Sequence, residues 1–519
     1  MTYIVAEPMT YIINRSIETG IVPSIYKLAR VVPLYKKGPH GECGNYRPVS
    51  LLPSLSKILE KAICKQLMDY LGDNNLLCQN QFGFRPKNQT SHVVHSMLNY
   101  ITEKSTENKV TIATFIDLSK AFDCLQYEQL FSKMSSLGFT ENTLQWFKSY
   151  LTGRRQITDV DGTISDELYN NLGVPQGSIL GPILFLIYVN DMNKADPSAT
   201  FLKFADDTTI LTSGKTLQEA KDKMNNSLDK VNIWFQRNKL NLNPSKTRFM
   251  LFNTHTPETK ILKIGAEFIE RVWEQGNEKS FKLVGLQLDE KLKWSHHISY
   301  ILKKVNSSNY ALAKAAKTLN TKNKKLIYSG LVHSHLVYGL PLWGHASPGR
   351  LQPLLVRQKQ SIRKIYNLKY RDHTMQYFVR GNILQLPELI IHQTLCYIHA
   401  GLTGPPNVQQ LWTLYNNQRD ESRTSEMHLT YTSTNKSWIH GLAPITQAKI
   451  WNEATREGLD WRVTTITFKA HSKFKQLQKY INSLQDEGIY INFSTQFGNH
   501  NSNSKDTVNY AALAAYKDD

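Results

Sequence analysis

Apolar residues recur every three or four positions over several stretches of the chain, and this spacing predicts amphipathic helices. The strongest of these patterns begins near Ser54 and ends near Gly72. Further helices are predicted around Val93–Ile101, Tyr127–Gly138, Glu141–Leu151, Pro182–Met192, Leu217–Phe235, Ile298–Leu319, Lys325–Gly339 and Leu351–Leu368. The chain is therefore rich in helices along most of its length.

Shorter runs rich in Val, Thr, Ile, Leu and Phe lie between these helices and predict strands. They cover Leu28–Tyr35, Val110–Asp117, Arg248–Phe252 and two hairpins, Phe201–Leu211 and Phe281–Leu288. The order strand, helix, hairpin, helix is typical of a mixed sheet backed by helices, so the pattern predicts an α+β fold.

The first hairpin carries two adjacent carboxylates, Asp206 and Asp207, at its predicted tip. Asp is a common turn residue, and an ordinary turn explains the pair when it is considered alone. Two like charges on an apolar ribbon also repel each other, and both ionise readily when a cation lies between them. A third carboxylate nearby would favour this second interpretation.

Asp117 provides such a carboxylate, because it ends the buried strand that begins at Val110. A strand ending in Asp beside a hairpin that carries Asp206 and Asp207 can bring three carboxylates together in one sheet. Such a group suits a pair of Mg²⁺ ions, which prefer carboxylates and substrate phosphates as ligands. Two ions so placed assist an in-line displacement at phosphorus, which is the chemistry of a polymerase.

The charge of the chain points to a polyanionic partner, nucleic acid rather than a membrane. Its 519 residues contain 62 Lys and Arg against 43 Asp and Glu, a net charge of +19. Residues 291–371 contain sixteen Lys and Arg and no acidic residue, so they carry +16 of that excess. A solvated helix face is the simpler explanation of a charge run, but nucleic-acid contact fits a window of this length better.

The five cysteines are widely spaced and contain no C-x-x-C pair, which indicates neither a disulfide framework nor a zinc site. The longest apolar run, Ile179–Val189, is far shorter than the ~20 residues that a membrane span needs. The first 15 residues lack the pattern of a secretion signal. We therefore expect an intracellular protein, in the cytoplasm or the nucleus, without a membrane partner.

Six blocks of residues, taken in order, resemble the reverse transcriptase of non-LTR (LINE-type) retrotransposons, most closely the jockey and CR1 groups. The blocks are Asn45–Leu52, Gly83-Phe84-Arg85, Phe115–Asp123, Gly173–Ser178, Phe204–Asp207 and Leu283-Val284-Gly285. The resemblance covers about residues 20 to 380. It implies a right-hand polymerase with fingers, palm and helical thumb, followed by a helical or mixed C-terminal extension. It also implies a chain that is truncated at its N-terminus relative to intact elements.

The resemblance implies a role for each of eight side chains. Asp117, Asp206 and Asp207 would bind two Mg²⁺ ions, with Mn²⁺ as the alternative ion, and Lys246 would protonate the leaving pyrophosphate. Phe122 would select dNTPs over rNTPs, with a core aromatic as the alternative. The incoming dNTP would be contacted by Gln176, Arg47 and Arg85, although a surface salt bridge explains each arginine nearly as well.

The predicted domains follow from the same resemblance. Residues 1–109 are predicted as fingers and N-terminal extension, 110–290 as palm with part of the fingers, and 291–375 as a basic helical thumb. The polymerase core would span about 25–290. Residues 376–490 form a C-terminal domain to which the sequence assigns no role, and 491–519 are expected to be disordered.

The expected activity is RNA-directed DNA polymerisation, with an RNA template, a DNA primer and dNTPs as partners. A catalytically silent RNA-binding remnant of a retroelement is the alternative. An RNA-templated RNA polymerase or another palm-type nucleotidyl transferase is a third reading, which a preference for rNTPs would support. The sequence leaves the oligomeric state open.

Overall fold

The computed structural model describes residues 2–254, 256, 262–265, 267–274, 277–412, 414–415, 428–429, 439–457, 459–460 and 463–486. The predicted disorder of residues 491–519 lies outside the described residues. Helices and strands alternate along the first half of the chain and helices dominate the second, which confirms the predicted α+β class.

In chain order the first elements are α1 (Thr2–Thr19), β1 (Leu28–Tyr35), β2 (Tyr46–Leu51), α2 (Ser54–Asp73), α3 (Thr90–Thr106), β3 (Val110–Ile116), β4 (Leu118–Ser119), α4 (Tyr127–Ser136), α5 (Glu141–Leu151), β5 (Arg154–Val160), β6 (Thr163–Ile164), β7 (Leu168–Asn170), α6 (Leu180–Tyr188), β8 (Thr200–Phe204), β9 (Asp207–Gly214), α7 (Leu217–Arg237), β10 (Asn241–Leu242), β11 (Arg248–Phe252), β12 (Leu262–Ile264) and β13 (Glu267–Arg271). The later elements are β14 (Trp273–Glu274), β15 (Asn277–Glu278), β16 (Phe281–Leu283), β17 (Leu286–Leu288), α8 (Ser295–Ala315), α9 (Thr321–Ile327), α10 (Ser334–Val337), α11 (Leu340–Trp343), α12 (Pro348–Tyr366), α13 (Met375–Arg380), α14 (Leu386–Leu402), α15 (Pro406–Gln409), β18 (Leu414–Tyr415), β19 (His428–Leu429), α16 (Ala443–Arg456) and α17 (Thr465–Asp486).

The described residues fall into two compact units. The first draws on the described residues within 1–86, 112–250 and 256–271, and the second on those within 87–111, 251–255 and 272–519. The predicted boundaries of fingers, palm, thumb and C-terminal domain stay predictions. Within the described residues, no helix is long and apolar enough to cross a membrane.

A six-stranded sheet, in the order β12-β13-β11-β3-β9-β8, is the centre of the first unit. Every residue of β3 is buried, and the strand lies between β11 and β9 in the sheet. Helix α7 packs against β9 and β12. Its buried residues recur every three or four positions, as predicted: Ala220, Met224, Leu228, Val231 and Phe235. This spacing gives α7 a single apolar face toward the sheet.

A second sheet of the first unit, in the order β2-β1-β5-β6 with β7 also paired to β5, carries one of the predicted nucleotide contacts. Strand β1 pairs antiparallel with β2 and parallel with β5. Directly opposite residues of an antiparallel pair share a face of the sheet, so Arg47 lies beside its partner Leu34. Both are exposed, which puts the Arg47 guanidinium on an open face.

Helices α8 and α12 pack against each other in the second unit and carry much of the basic window. Lys303, Lys304, Lys314 and Lys317 are exposed along and just after α8. Lys314 Nζ lies 4.8 Å from the ring centre of Tyr310, a cation-π arrangement on the exposed side of the helix. Helix α14 packs against α16 and α17 in the same unit.

Two helix predictions were wrong in detail. The predicted helix Pro182–Met192 begins at Leu180 and ends at Tyr188, and a 3₁₀ turn over Asn190–Ala195 follows it. The predicted helix Lys325–Gly339 is divided into α9, a π-helical turn over Tyr328–His333, and α10. Residues 380–490, which gave no clear pattern, contain the helices α14, α16 and α17.

Candidate active site

The predicted hairpin at Asp206 and Asp207 is confirmed, with a different turn. Strands β8 and β9 pair antiparallel, and their last pair before the turn is Phe204 with Asp207. The turn therefore consists of Ala205, which has a φ of +59°, and Asp206. Asp207 is the first residue of β9 rather than part of the turn. The two carboxylates thus belong to adjacent residues at the end of the hairpin.

Asp117 follows β3 directly, and β3 is the neighbour of β9 in the sheet. The backbone of Asp117 is fixed on both sides by the segment after β10. Its carbonyl accepts a hydrogen bond from the Asn243 N–H at 2.9 Å, and its N–H donates to Thr247 Oγ1 at 3.4 Å. Thr247 is fully buried. The third predicted carboxylate is therefore held at the same edge of the sheet as the hairpin turn.

The three carboxylates interact electrostatically. Desolvation by the surrounding protein, followed by repulsion from Asp206 and Asp117, raises the pKa of Asp207 to about 6. Desolvation also raises the pKa of Asp206, and the charge of Asp117 adds to the rise. Both side chains reach solvent, so the protein desolvates them without closing over them. Three mutually repelling carboxylates at one open edge favour a cation among them.

Two of the predicted basic residues lie near these carboxylates. Lys246 Nζ is 3.8 Å from Asp117 Oδ2, and its side chain is 66% exposed. The charge of Arg47 acts on Asp206 and partly offsets the rise in its pKa. The structure therefore brings Lys246 and Arg47 to the same edge of the sheet as the three aspartates.

Arg85, in contrast, is engaged within its own loop. Its Nη1 donates to the Cys78 carbonyl at 3.0 Å and to the Gln81 carbonyl at 3.4 Å. It is half-buried, and desolvation lowers the pKa of its guanidinium. Arg85 thus orders its own loop over residues 78–85. Its predicted contact with the triphosphate stays a prediction.

Phe122 and Gln176 lie on two loops that are bonded to each other. The half-buried Phe122 ring packs against Phe185 of α6, with ring centroids 4.7 Å apart. Gln176 Nε2 donates to Asp123 Oδ1 at 2.8 Å, and the Gln176 carbonyl accepts from the Ser50 N–H at 2.8 Å. The glycine-rich loop is therefore fixed between the end of β2 and the segment after β3.

Sequence reasoning missed Gln81, which supports the hairpin turn. Its Oε1 accepts hydrogen bonds from the N–H of Gly83 at 2.8 Å and from the N–H of Ala205 at 3.1 Å. Gln81 is only 2% exposed. The sequence carries no signal for this contact, because a Gln before Phe-Gly looks like any loop residue.

Sequence reasoning also missed Glu60, a buried carboxylate on α2. Its Oε2 accepts from the N–H groups of Ile179 at 2.6 Å and Leu180 at 3.3 Å, and so caps the first turn of α6. Desolvation raises the pKa of this carboxyl, and the two backbone hydrogen bonds oppose the rise. The signal was present, since Glu60 falls on the apolar face of α2 with Ile63 and Leu67.

The residues present fit a divalent metal ion. Carboxylate oxygens are the ligands that Mg²⁺ prefers, and Asp117, Asp206 and Asp207 share a repulsion that such an ion relieves. Among the described residues, no three His, Cys, Asp or Glu side chains already have a coordinating arrangement. The fit therefore rests on the donor chemistry and on the mutual repulsion of the three carboxylates.

We expect Asp207→Asn to stabilise the metal-free protein above pH 6. The folded state raises the pKa of Asp207 from 3.8 to about 6, so folding binds a proton between these values and stability falls as pH rises through them. Above pH 6 the ionised carboxylate opposes folding, whereas an amide does not. Allowing for solvent screening, the gain should be about 1 kcal/mol, or roughly 2 °C in the unfolding midpoint.

Thermal unfolding in the presence of a chelator, at pH 4.5 and pH 7.5, measures this difference. The gain should be full at pH 7.5 and about a third as large at pH 4.5, because the carboxyl of the unfolded chain, with a pKa of 3.8, is still mostly ionised at pH 4.5. Asp229→Asn is the matched control, because Asp229 is an exposed carboxylate on α7. Equal midpoints of wild type and Asp207→Asn at pH 7.5 would contradict the raised pKa.

Comparison with known proteins shows what the chain is similar to. Residues 34–288 match the family described as reverse transcriptase (RNA-dependent DNA polymerase). The chain is 29% identical over 387 residues to the probable RNA-directed DNA polymerase from transposon BS of Drosophila melanogaster, covering 72% of this chain and 41% of that protein. It is 28% identical to the RNA-directed DNA polymerase from mobile element jockey of the same species, covering 69% of this chain and 39% of that protein.

Residues 34–288 thus match the reverse transcriptase class of template-copying polymerases. Within that class the chain is similar to the RNA-directed DNA polymerases of non-LTR retrotransposons. It spans about two fifths of the length of the curated relatives it matches. Polymerases of this family generally use divalent metal ions.

Solved structures of low similarity include two telomerases. The apo telomerase from Candida tropicalis has 14% identity and a TM-score of 0.39, covering 76% of this chain and 67% of that chain. The telomerase from Candida albicans, solved with a fragment of telomeric RNA, has 12% identity and a TM-score of 0.40, covering 79% of this chain and 65% of that chain.

Proposed function

We propose that this chain extends the 3′-end of a DNA primer with dNTPs on an RNA template by two-metal-ion nucleotidyl transfer. The observation that carries the proposal is the electrostatic coupling of Asp117, Asp206 and Asp207 at one open edge of the six-stranded sheet. Coupled carboxylates that repel each other in the free protein are suited to bind divalent ions with the substrate phosphates.

Asp117, Asp206 and Asp207 would hold two Mg²⁺ ions, for which Mn²⁺ can substitute. When bound, the ions would activate the primer 3′-hydroxyl and stabilise the leaving pyrophosphate. The hydrogen bonds that the Asn243 N–H and the Thr247 hydroxyl make with the Asp117 backbone keep Asp117 in position for this task. The hairpin turn does the same for Asp206 and Asp207.

The neighbouring basic residues would act on the triphosphate. Arg47 lies on an open face and its charge acts on Asp206, so its guanidinium can bind phosphate oxygens beside the metal ligands. Lys246, whose ammonium is 3.8 Å from the Asp117 carboxylate, would donate a proton to the leaving pyrophosphate. Arg85 is the weaker candidate for the triphosphate, because its guanidinium already bonds two carbonyls of its own loop.

Phe122 and Gln176 would select and orient the incoming nucleotide. The contact with Phe185 limits the movement of the Phe122 ring, so the ring can crowd a ribose 2′-hydroxyl. Gln176 is part-exposed at the loop surface. The exposed lysines of α8 would bind template and primer through phosphates without reading their sequence.

Primer extension with dNTPs and rNTPs side by side tests this proposal. Purified protein with Mg²⁺ and a DNA primer annealed to an RNA template should extend the primer with dNTPs and much less with rNTPs. Binding of RNA should weaken steeply as salt rises, because phosphate contacts release counterions. Salt-dependent binding without any extension would identify a silent RNA-binding protein. A preference for rNTPs would contradict the gating role of Phe122.

A further inference from the structure

The segment after β3 and the glycine-rich loop are joined by backbone contacts on both sides of Asp123. The Val174 N–H donates to the Phe122 carbonyl and the Gly173 N–H donates to the Leu125 carbonyl, each at 2.9 Å. Gly173 has a φ of +72°, and a Cβ there would lie 2.7 Å from Asp123 Cα. Only glycine allows the two backbones to approach this closely. The loop that carries Gln176 is therefore built directly on the Phe122-Asp123 backbone.

One side-chain contact completes this junction. Asp123 Oδ1 accepts a hydrogen bond from Gln176 Nε2 at 2.8 Å, and both side chains are half-buried. A charged acceptor makes this bond stronger than one between neutral groups. The bond fixes the amide plane with its N–H₂ end toward Asp123, which leaves Oε1 as the end available to a substrate.

We propose that Asp123 is a positioning residue that orients Gln176 toward the incoming nucleotide. The inference rests on the proposed polymerase function, and it assigns Asp123 no metal and no contact with the reacting atoms. Because Asp123 adjoins Phe122, the same carboxylate links the residue proposed to exclude rNTPs with the residue proposed to orient the dNTP. Without the carboxylate, the Gln176 side chain can rotate, and the site must order it again each time a nucleotide binds.

A purely structural role for Asp123 makes a different prediction, because it would act on loop stability whether or not Gln176 is present. A double-mutant cycle separates the two roles. The four proteins are wild type, Asp123→Ala, Gln176→Ala and the double variant. Asp123→Asn is the conservative variant, since its Oδ1 can still accept from Gln176 Nε2.

Single-nucleotide incorporation gives KM for the dNTP and kcat separately, and unfolding midpoints show whether the variants fold. We expect Asp123→Ala and Gln176→Ala each to raise KM about tenfold with little change in kcat, and the double variant to resemble Gln176→Ala alone. Asp123→Asn should stay within about twofold of wild type. If the rises in KM multiplied to about 100-fold in the double variant, the proposal would be overturned. A lower kcat with an unchanged KM in Asp123→Ala would also overturn it.

Equilibrium dNTP binding, measured on the same proteins as a shift of the unfolding midpoint, is the second readout. If wild type binds dNTP without extending a primer, the polymerase proposal fails. The dNTP affinities of the four proteins then still show whether Asp123 acts through Gln176. If wild type extends but the effects multiply, the inference about Asp123 fails alone. If wild type neither binds dNTP nor extends, both are refuted.

Discussion

Asp206→Ala is expected to lower primer extension by about 10³-fold or more while RNA binding stays within about twofold of wild type. The change removes a carboxylate from the turn of the β8–β9 hairpin, between Ala205 and the first residue of β9. Asp117 and Asp207 remain, but two carboxylates offer fewer oxygens to two ions than three do. Extension depends on those ions, whereas the proposed RNA contacts lie on exposed lysines of the second unit.

The fold should tolerate this change, which makes the loss of activity interpretable. Asp206 is exposed in the turn, and its carboxylate contributes to the repulsion that raises the pKa of Asp207. The unfolding midpoint of Asp206→Ala should therefore equal or exceed that of wild type in the absence of divalent ions. Asp222→Ala, an exposed position on α7, serves as the control for removing one acidic residue. Persistent extension by Asp206→Ala would contradict the metal assignment.

Much of the site could be predicted because its elements follow local rules. The apolar run from Val110 is a buried strand that ends before Asp117, and the hairpin around Asp206 lies in the same sheet. The helices α5 and α7 begin and end within two residues of the predicted bounds, because their apolar positions keep a strict period. The sequence could not show which distant residues contact each loop.

The contacts that fix the loops are made by residues far apart in the chain. Glu60 caps α6 from 119 residues away, and Gln81 reaches Ala205 from 124 residues away. The spacing of apolar residues predicts single helices and strands, but it gives no information about contacts between residues far apart in the chain. The π-helical turn over Tyr328–His333 was missed for a related reason: apolar spacing continues through it, and the extra residue in the turn leaves no compositional trace.

The hairpin also depends on its close contact with Gly83, which a single added methyl group would disrupt. A Cβ at this position would lie 2.2 Å from the Ala205 backbone nitrogen and 2.9 Å from the Phe204 carbonyl carbon. Neither atom belongs to a flexible side chain, and Ala205 already holds a φ of +59°. Gly83 is thus the point where the Gln81–Arg85 loop touches the turn that carries Asp206.

Gly83→Ala is therefore expected to lower extension about 10²-fold and to destabilise the protein by about 2 kcal/mol. The methyl group has to push the turn away, which moves Asp206 and Asp207 relative to Asp117 and separates Ala205 from Gln81 Oε1. Extension assays and urea unfolding measure the two effects, and RNA binding should be retained because the proposed phosphate contacts lie in the second unit.

Gly72→Ala is the matched control for the same chemical change. Gly72 lies in the last turn of α2, and a Cβ there would meet nothing within 4 Å. Ala is a better helix former than Gly, so this variant should gain up to about 1 kcal/mol in stability and extend primers like wild type. If Gly83→Ala behaved in the same way as Gly72→Ala, the close approach of Gly83 to the hairpin would not be needed for activity. A loss confined to Gly83→Ala would instead tie the Gly-Phe-Arg block to the geometry of the carboxylates.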